Sequence, residues 1–472
     1  MPNSAKPSSG PKWADLLAIN SSTGALLGAI ILVCMGSELW GPFLPKYMRN
    51  LAAPILLIAL YGSLRDLLEA INYFLGGWVA GRFNTRRGLL LFNAAPLIGL
   101  AVLVFWRSWI AVFVAIPFVF VWDSMAGPAL LTVVGDSLPS DRRAMAFSLQ
   151  SLLRRMARII AYAVNAILVF LTGEKLGMEA AFALSFAVVT ASLLVQARFM
   201  KTASKDAAGT IIHRPLGVLR GFDPQLKRLL AADIFARLAE GMPRELIILF
   251  TIPVLATATG GHSVLNRLVD FFNPGSHDQE IDIGTKVDWA TYGILLIVSQ
   301  VTSAITYIPM GFVASRPGLA KKPYIGITFF FFASFPAVLA LAGWLALAGA
   351  VPAGSVVWLL AVAFVFAGMR EIGEPARKAM IVDLIPPERK TQAIGIYWSA
   401  RCVAVMLAPL VGGAIWVGVN LWAGCGVADV FIAATGRPAP GPIAMLAASS
   451  LCGIIGVIYY YLRFGRPVGQ PV

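Results

Sequence analysis

Long apolar runs separated by short polar stretches fill the chain from residue 23 to residue 462. Most are roughly 20 residues or longer, the length at which a helix crosses a ~30 Å hydrocarbon core. The first six cover about residues 23–47, 54–80, 89–105, 109–136, 144–171 and 178–200. The second six cover about 229–256, 289–314, 324–347, 356–384, 393–417 and 442–462. The pattern predicts an all-α polytopic membrane protein of twelve transmembrane helices in two bundles of six. A polar tail (1–22) precedes the first bundle (23–200). A basic linker containing Gly and Pro (201–228) joins it to the second bundle (229–462), and a short tail (463–472) ends the chain. A long acidic loop at 257–288 follows the seventh run.

The two halves echo one another. FVFVWDSMAGPALLTVVGDSLPSDRR, Phe118 to Arg143, matches the region around FVFAGMREIGEPARKAMIVDLIPPERK, Phe364 to Lys390. At one constant offset Pro128 pairs with Pro375, Asp136 with Asp383, Pro139 with Pro386, Arg142 with Arg389 and Arg154 with Arg401. A helix–loop–helix unit repeated half a chain apart predicts two pseudo-symmetric bundles. One pair breaks the symmetry: Asp123 falls opposite Arg370.

Composition confirms lipid as the solvent. Of 472 residues 58% are hydrophobic and 13% charged, with mean hydropathy +0.77, whereas soluble domains keep about 25% charged. The net charge of +14 reflects Lys and Arg retained in cytoplasmic loops rather than a nucleic-acid partner. Alternate loops carry the excess on the side of the N-terminus, the linker and the C-terminus. Both termini are therefore expected in the cytoplasm of a cell with this protein in its inner membrane. Cys34, Cys402, Cys425 and Cys452 have no metal or disulfide spacing, and His213, His262 and His277 lie in loops. No nucleophile–base set stands out, so neither an enzyme nor a resident cofactor is expected. The polar start, MPNSAKPSSGPKWADLL, and Glu38 in the first run read as a retained span rather than a signal peptide.

Charges within the apolar runs carry the candidate chemistry. An ionisable group at mid-bilayer costs ~2.5–3.5 kcal/mol on insertion scales, so each needs a partner or a watered cavity. Glu38, Asp123, Glu240, Arg370, Glu371 and Glu374 form the candidate substrate and proton site; Arg65, Asp66, Glu69, Arg154, Arg158, Arg237 and Arg401 form a supporting charge network. Arg65–Glu69, Asp233–Arg237 and Glu240–Arg244 are spaced i,i+4 for pairing along one helix. Arg154, Arg155 and Arg158 could face carboxylates of the second span. A second role fits all these charges: structural pairs holding the bundles together. Trp40, Trp122 and Trp398 could stack on a substrate or simply pack. Gly41–Pro42, Gly127–Pro128, Gly241–Pro243 and Gly373–Pro375 are expected to loosen four helices.

Nearly the whole chain resembles the major facilitator superfamily. Gly77, Arg82, Arg86 and Arg87 match the family's signature between spans two and three, with Gly81 in place of the usual Asp and Asn84 in place of a Gly. Gly311, Ser315, Arg316, Gly318, Lys321 and Lys322 echo it, and DSLPSDRR and DLIPPERK resemble the family's later inner loops. The Pro-x-x-Gly-Gly of proton antiporters is absent from span five and stands in span eleven as Pro409, Gly412 and Gly413. The resemblance implies that spans one, four, seven and ten line a central chamber holding the six candidate site residues. It also implies a cytoplasmic gate at Gly77, Arg82, Arg86, Arg87, Asp136, Arg142, Arg316, Asp383 and Arg389, with Asp136 and Asp383 replacing the missing acid. The implied function is secondary active transport of a small charged or amphipathic organic solute by a monomer in the lipid bilayer. A proton gradient would drive it, and export follows from likeness to bacterial efflux members. Import or uniport of an anionic metabolite, or a non-transporting sensor or assembly factor, are the alternatives.

Overall fold

The computed structural model describes residues 21–82, 85–122, 124–125, 140–199, 215–258, 280–314, 321–385, 390–432 and 437–464. In the first half the helices are α1 (Ser21–Glu38), α2 (Leu44–Asn50), α3 (Ile55–Arg82), α4 (Thr85–Phe105), α5 (Trp109–Val119), α6 (Ser140–Thr172) and α7 (Glu174–Phe199). A short helix, α8 (Pro215–Arg220), precedes the second half. There α9 (Pro224–Arg244), α10 (Ile247–Ala258), α11 (Glu280–Ala314) and α12 (Lys322–Leu347) are followed by α13 (Ala353–Met369) and α14 (Glu374–Asp383). The chain closes with α15 (Lys390–Val405), α16 (Ala408–Trp422) and α17 (Pro440–Arg463). The only strands among the described residues are Phe431–Ile432 and Arg437–Pro438, paired antiparallel in the last distal loop. Among the described residues, seven helical stretches of 22–31 residues are long and apolar enough to cross a membrane.

Four spans are two helices placed end to end: α1 with α2, α9 with α10, α13 with α14, and α15 with α16. Proline accounts for these breaks. It cannot donate to the carbonyl four residues back and its ring crowds that carbonyl, yet it suits the first helical turn. Accordingly Pro42 lies in the one-turn 3-10 segment Gly41–Phe43, Pro375 opens α14 and Pro409 opens α16. Pro243 lies in the last turn of α9. Breaks in spans one, seven and ten fall where the Gly/Pro pairs are; Gly127–Pro128 lies outside the described residues. The eleventh break was not anticipated from its Pro409.

Helices also outrun their apolar stretches. Span seven begins at Pro224 because the Asp223 side chain caps it, accepting from Gln225 N at 2.7 Å. Span eight starts at Glu280, where polar turns continue the helix beyond the apolar run.

The halves meet along two seams. α6 runs beside α11, and α3 runs beside α15 and α16. Exchanging the halves maps span two onto eight and span five onto eleven, so each seam is the pseudo-symmetric copy of the other. The Pro-x-x-Gly-Gly stretch lies in the second seam. A Cβ on Gly412 would meet the Met242 carbonyl oxygen at 2.2 Å, and one on Gly413 would meet Ala59 Cβ at 2.6 Å. These glycines let α16 approach span seven and, across the boundary, span two.

Candidate functional site

The helix breaks place charge in the interior. Glu38 ends α1, Arg244 ends α9, and Arg370 and Glu371 occupy the turn between α13 and α14. That turn is supported by its ends. Arg370 Nε donates to the Ala367 carbonyl at 3.0 Å, a cation on the exposed C-terminus of α13. Glu374 sits in the first turn of α14, where a negative charge is favoured. Gly373 N donates to Thr328 Oγ1 at 2.6 Å, and a Cβ there would strike the Tyr324 carbonyl oxygen at 2.3 Å, so α12 presses directly on the break.

The charges pair in three groups. Glu38 pairs with Arg158 at 2.7 Å and accepts from the Tyr162 hydroxyl at 2.7 Å. Glu371 pairs with Arg155 at 3.0 Å and accepts from the Tyr307 hydroxyl at 3.0 Å; Arg155 also donates to Gln300 Oε1 at 2.7 Å. Glu240 receives Arg237 at 2.6 Å and Arg370 at 3.5 Å. Asp233 contacts Arg377 directly, with Arg401 at 3.6 Å and Arg237 at 3.7 Å. Glu374 takes Arg377 at 2.9 Å and Lys378 at 3.5 Å.

Exposure divides the network in two. Asp233 and Arg377 are 1% and 3% exposed, a sealed knot, whereas Glu38, Glu240, Glu371 and Arg370 keep 17–22%. The latter line the space between the bundles. Arg370 meets one carboxylate and two phenyl rings. Its guanidinium lies 4.7 Å from the Phe335 ring centroid and 5.3 Å from that of Phe332, and its one carboxylate is at 3.5 Å. Seven basic side chains (Arg155, Arg158, Arg237, Arg370, Arg377, Lys378, Arg401) face five acidic ones (Glu38, Asp233, Glu240, Glu371, Glu374) in the described network.

At the end distal to the termini an aromatic plug packs across the two halves. Phe43 stacks on Trp289 at 5.6 Å between centroids, with Tyr292 edge-on at 5.9 Å. Asn165 clamps this plug, accepting from Trp289 Nε1 at 3.0 Å and donating to the Leu39 carbonyl at 2.7 Å. Phe43 and Trp289 are fully buried.

Glu240 meets Arg370 at the span-ten break that Glu371 and Glu374 flank, Glu38 stands with Arg158 and Tyr162 in the first half, and Asp123 lies outside the described residues. In the supporting network Arg65 pairs with Glu69 at 3.0 Å, Asp66 meets Arg244 at 3.0 Å, and Arg154 is half-buried on α6. Two pairings differ from expectation. Glu240 does not pair with Arg244, because the helix stops after Arg244 and turns that side chain to span two. Arg155 and Arg158 face Glu371 and Glu38 rather than span-two carboxylates. Trp40 and Trp122 are 1% exposed, Trp40 tilted on Phe120 and Phe182, and Trp398 packs edge-on to Tyr73. All three are packing residues.

Arg155, Tyr307, Asp233, Arg377 and Glu245 were missing from the candidate set. Arg155 shares a helix face with Arg158 at i,i+3, the one signal that pointed to it. Of the expected gate, Asp383 pairs with Lys321 at 2.9 Å at the end near the termini. The surroundings of Gly77, Arg82, Arg86, Arg87 and Arg142, and all of Asp136, Arg316 and Arg389, lie outside the described residues.

No known family profile matches the sequence, and no curated protein is recognisably similar to it. Solved structures do share its architecture. The chain superposes on the human organic anion transporter MFSD10 (TETRAN) with TM-score 0.62 at 14% identity, covering 93% of this chain and 99% of that one. It superposes on the nucleoside transporter NupG with TM-score 0.64 at 13% identity, covering 94% and 100%. The fold is that of the major facilitator transporters, a multi-pass membrane architecture. Both similar proteins are named as transporters.

Proposed function

We propose that the chain is a secondary active transporter that carries small organic anions by alternating access, coupled to protons. It works in a cytoplasmic membrane with both termini in the cytoplasm. The observation that carries this reading is Arg370: a guanidinium in a helix break, held through Nε by the Ala367 carbonyl, with one carboxylate at 3.5 Å and two phenyl rings beside it. A planar fork of this kind suits a carboxylate or phosphate, and the rings suit the apolar body of an amphipathic solute. The excess of basic over acidic side chains around it supports an anion as well. So does the likeness in fold to MFSD10, an organic anion transporter; NupG, a nucleoside transporter, makes neutral solutes the comparison set.

The Phe43–Trp289 plug fits a chamber closed on the outer side, and mid-depth carboxylates supply groups able to take a proton. Outward movement of the anion is the proposed direction, resting on the efflux-type sequence resemblance. The test is purified protein in liposomes holding a pH-sensitive dye, challenged with aliphatic and aromatic carboxylates, nucleosides and organic amines. Proton movement driven by carboxylates alone is expected. Flux driven by nucleosides or amines would refute the anion assignment, and no flux with any of them would favour the non-transporting alternative.

A further inference from the structure

Away from Arg370, spans two and seven share a second buried charge cluster. Arg244, at the end of α9, reaches across the bundle boundary to Asp66 at 3.0 Å and to the Gly62 carbonyl at 3.4 Å. Its neighbour Glu245 accepts from it at 2.9 Å and faces Arg65 of span two at 3.8 Å. Arg65 in turn holds Glu69 at 3.0 Å, and its guanidinium lies 4.5 Å from the Phe120 ring centroid.

Two features set this cluster apart from the chamber. Its charge does not balance: Asp66, Glu69 and Glu245 stand against Arg65 and Arg244, one carboxylate in surplus. Second, Asp66 is 2% exposed, and its Oδ2 is buried with no hydrogen-bond partner. A buried carboxylate oxygen lacking a donor is left without compensation for its lost water. The other titratable groups around the cluster are Tyr61 of span two, Tyr292 of span eight, and Cys402 and Arg401 of span eleven. Arg401 is the one further cation, and it pairs with Asp233 at 3.6 Å rather than with a carboxylate of this cluster.

We propose that Asp66 is the proton-carrying carboxyl of this protein, with its proton on Oδ2, and that loading it turns the Asp66–Arg244 ion pair into a weaker neutral hydrogen bond and so loosens the hold of Arg244 on span two. The proton comes from water; the Asp66 carboxylate becomes a neutral carboxylic acid and no other bond changes. The cluster then balances, with Glu69 and Glu245 against Arg65 and Arg244. The Asp66–Arg244 pair is one of the ties between the bundles, so its weakening lowers the cost of parting them at this seam. Proton and substrate thereby occupy different places, Asp66 for one and Arg370 for the other. The use made of the proton rests on the transport reading above; its location does not.

The experiment is infrared difference spectroscopy of the purified protein in nanodiscs, titrated through acid to neutral pH in H2O and in D2O. The wild type is expected to show a buried carboxylic-acid C=O band that shifts in D2O. Asp66→Asn removes it and Glu240→Gln retains it. Glu245→Gln abolishes the surplus charge and is expected to lose the band too, which keeps the test decisive if Asp66→Asn does not fold. A band unchanged in Asp66→Asn or in Glu245→Gln, or lost in Glu240→Gln, overturns the assignment. Failure of the transport reading shows separately, as wild-type liposomes in which no carboxylate moves protons.

Discussion

Replacing Asp233 by Asn keeps the shape of the side chain and deletes the charge at the centre of the sealed knot. Asp233 is 1% exposed and serves Arg377 by direct contact, Arg401 at 3.6 Å, Arg237 at 3.7 Å and the Tyr397 hydroxyl at 3.5 Å. After the change Arg237 keeps Glu240 at 2.6 Å and Arg377 keeps Glu374 at 2.9 Å. Arg401 loses the one carboxylate it meets among the described residues. Removing one partner of a buried ion pair costs about 3–5 kcal/mol, because the other charge stays buried and uncompensated. The loss is expected at about that size in SDS-driven unfolding from mixed micelles, followed through the fluorescence of the 12 tryptophans. Adding Arg377→Met should cost less than the sum of the two single changes, since residues in contact couple by about 0.5–3 kcal/mol. Asp233→Asn within about 1 kcal/mol of wild type, or strict additivity in the double variant, would refute the reasoning.

Gly412→Val drives a side chain into the Met242 carbonyl and is expected to cost about 1–3 kcal/mol in the same assay. Gly418→Val, where a Cβ meets nothing within 4 Å, should leave packing intact. Phe43→Ala removes the ring stacked on Trp289, and a cavity of that kind costs about 3–5 kcal/mol. It should also speed reaction of Cys34, buried on α1, with an impermeant thiol reagent applied from the distal side, the other three cysteines being replaced by Ser. An unchanged rate would mean that Phe43 does not close that end. Tyr307→Phe deletes the hydroxyl on Glu371 and should lower stability by about 1 kcal/mol while leaving the Arg155–Glu371 pair in place.

Elements written in local sequence were legible. The apolar runs gave the spans, and Gly41–Pro42, Gly241–Pro243 and Gly373–Pro375 marked three breaks because proline acts on the turn that contains it. The i,i+4 pair Arg65–Glu69 was readable for the same reason. Pairings across the boundary were not. Arg155 with Glu371, and Arg244 with Asp66, depend on how α6 docks on α11 and where α9 stops. Glu240–Arg244 shows the limit well: a correct spacing was cancelled by a break two residues beyond Pro243. Many of the interior charges could be picked out because mid-bilayer charge is costly anywhere, yet Arg155, Asp233, Arg377 and Glu245 were left out of the candidate set. Their division into a sealed knot and a lining is a matter of exposure, which spacing does not encode.

The account turns on Arg370 as the anchor of an anionic solute. The most direct measurement is the thermal stabilisation of detergent-purified protein by whichever carboxylate drives the largest liposome flux, compared among wild type, Arg370→Lys and Arg370→Ala. The account predicts a clear rise in melting temperature for wild type, a smaller one for Arg370→Lys, which keeps the charge without the fork, and none for Arg370→Ala. Equal stabilisation of wild type and Arg370→Ala would contradict it.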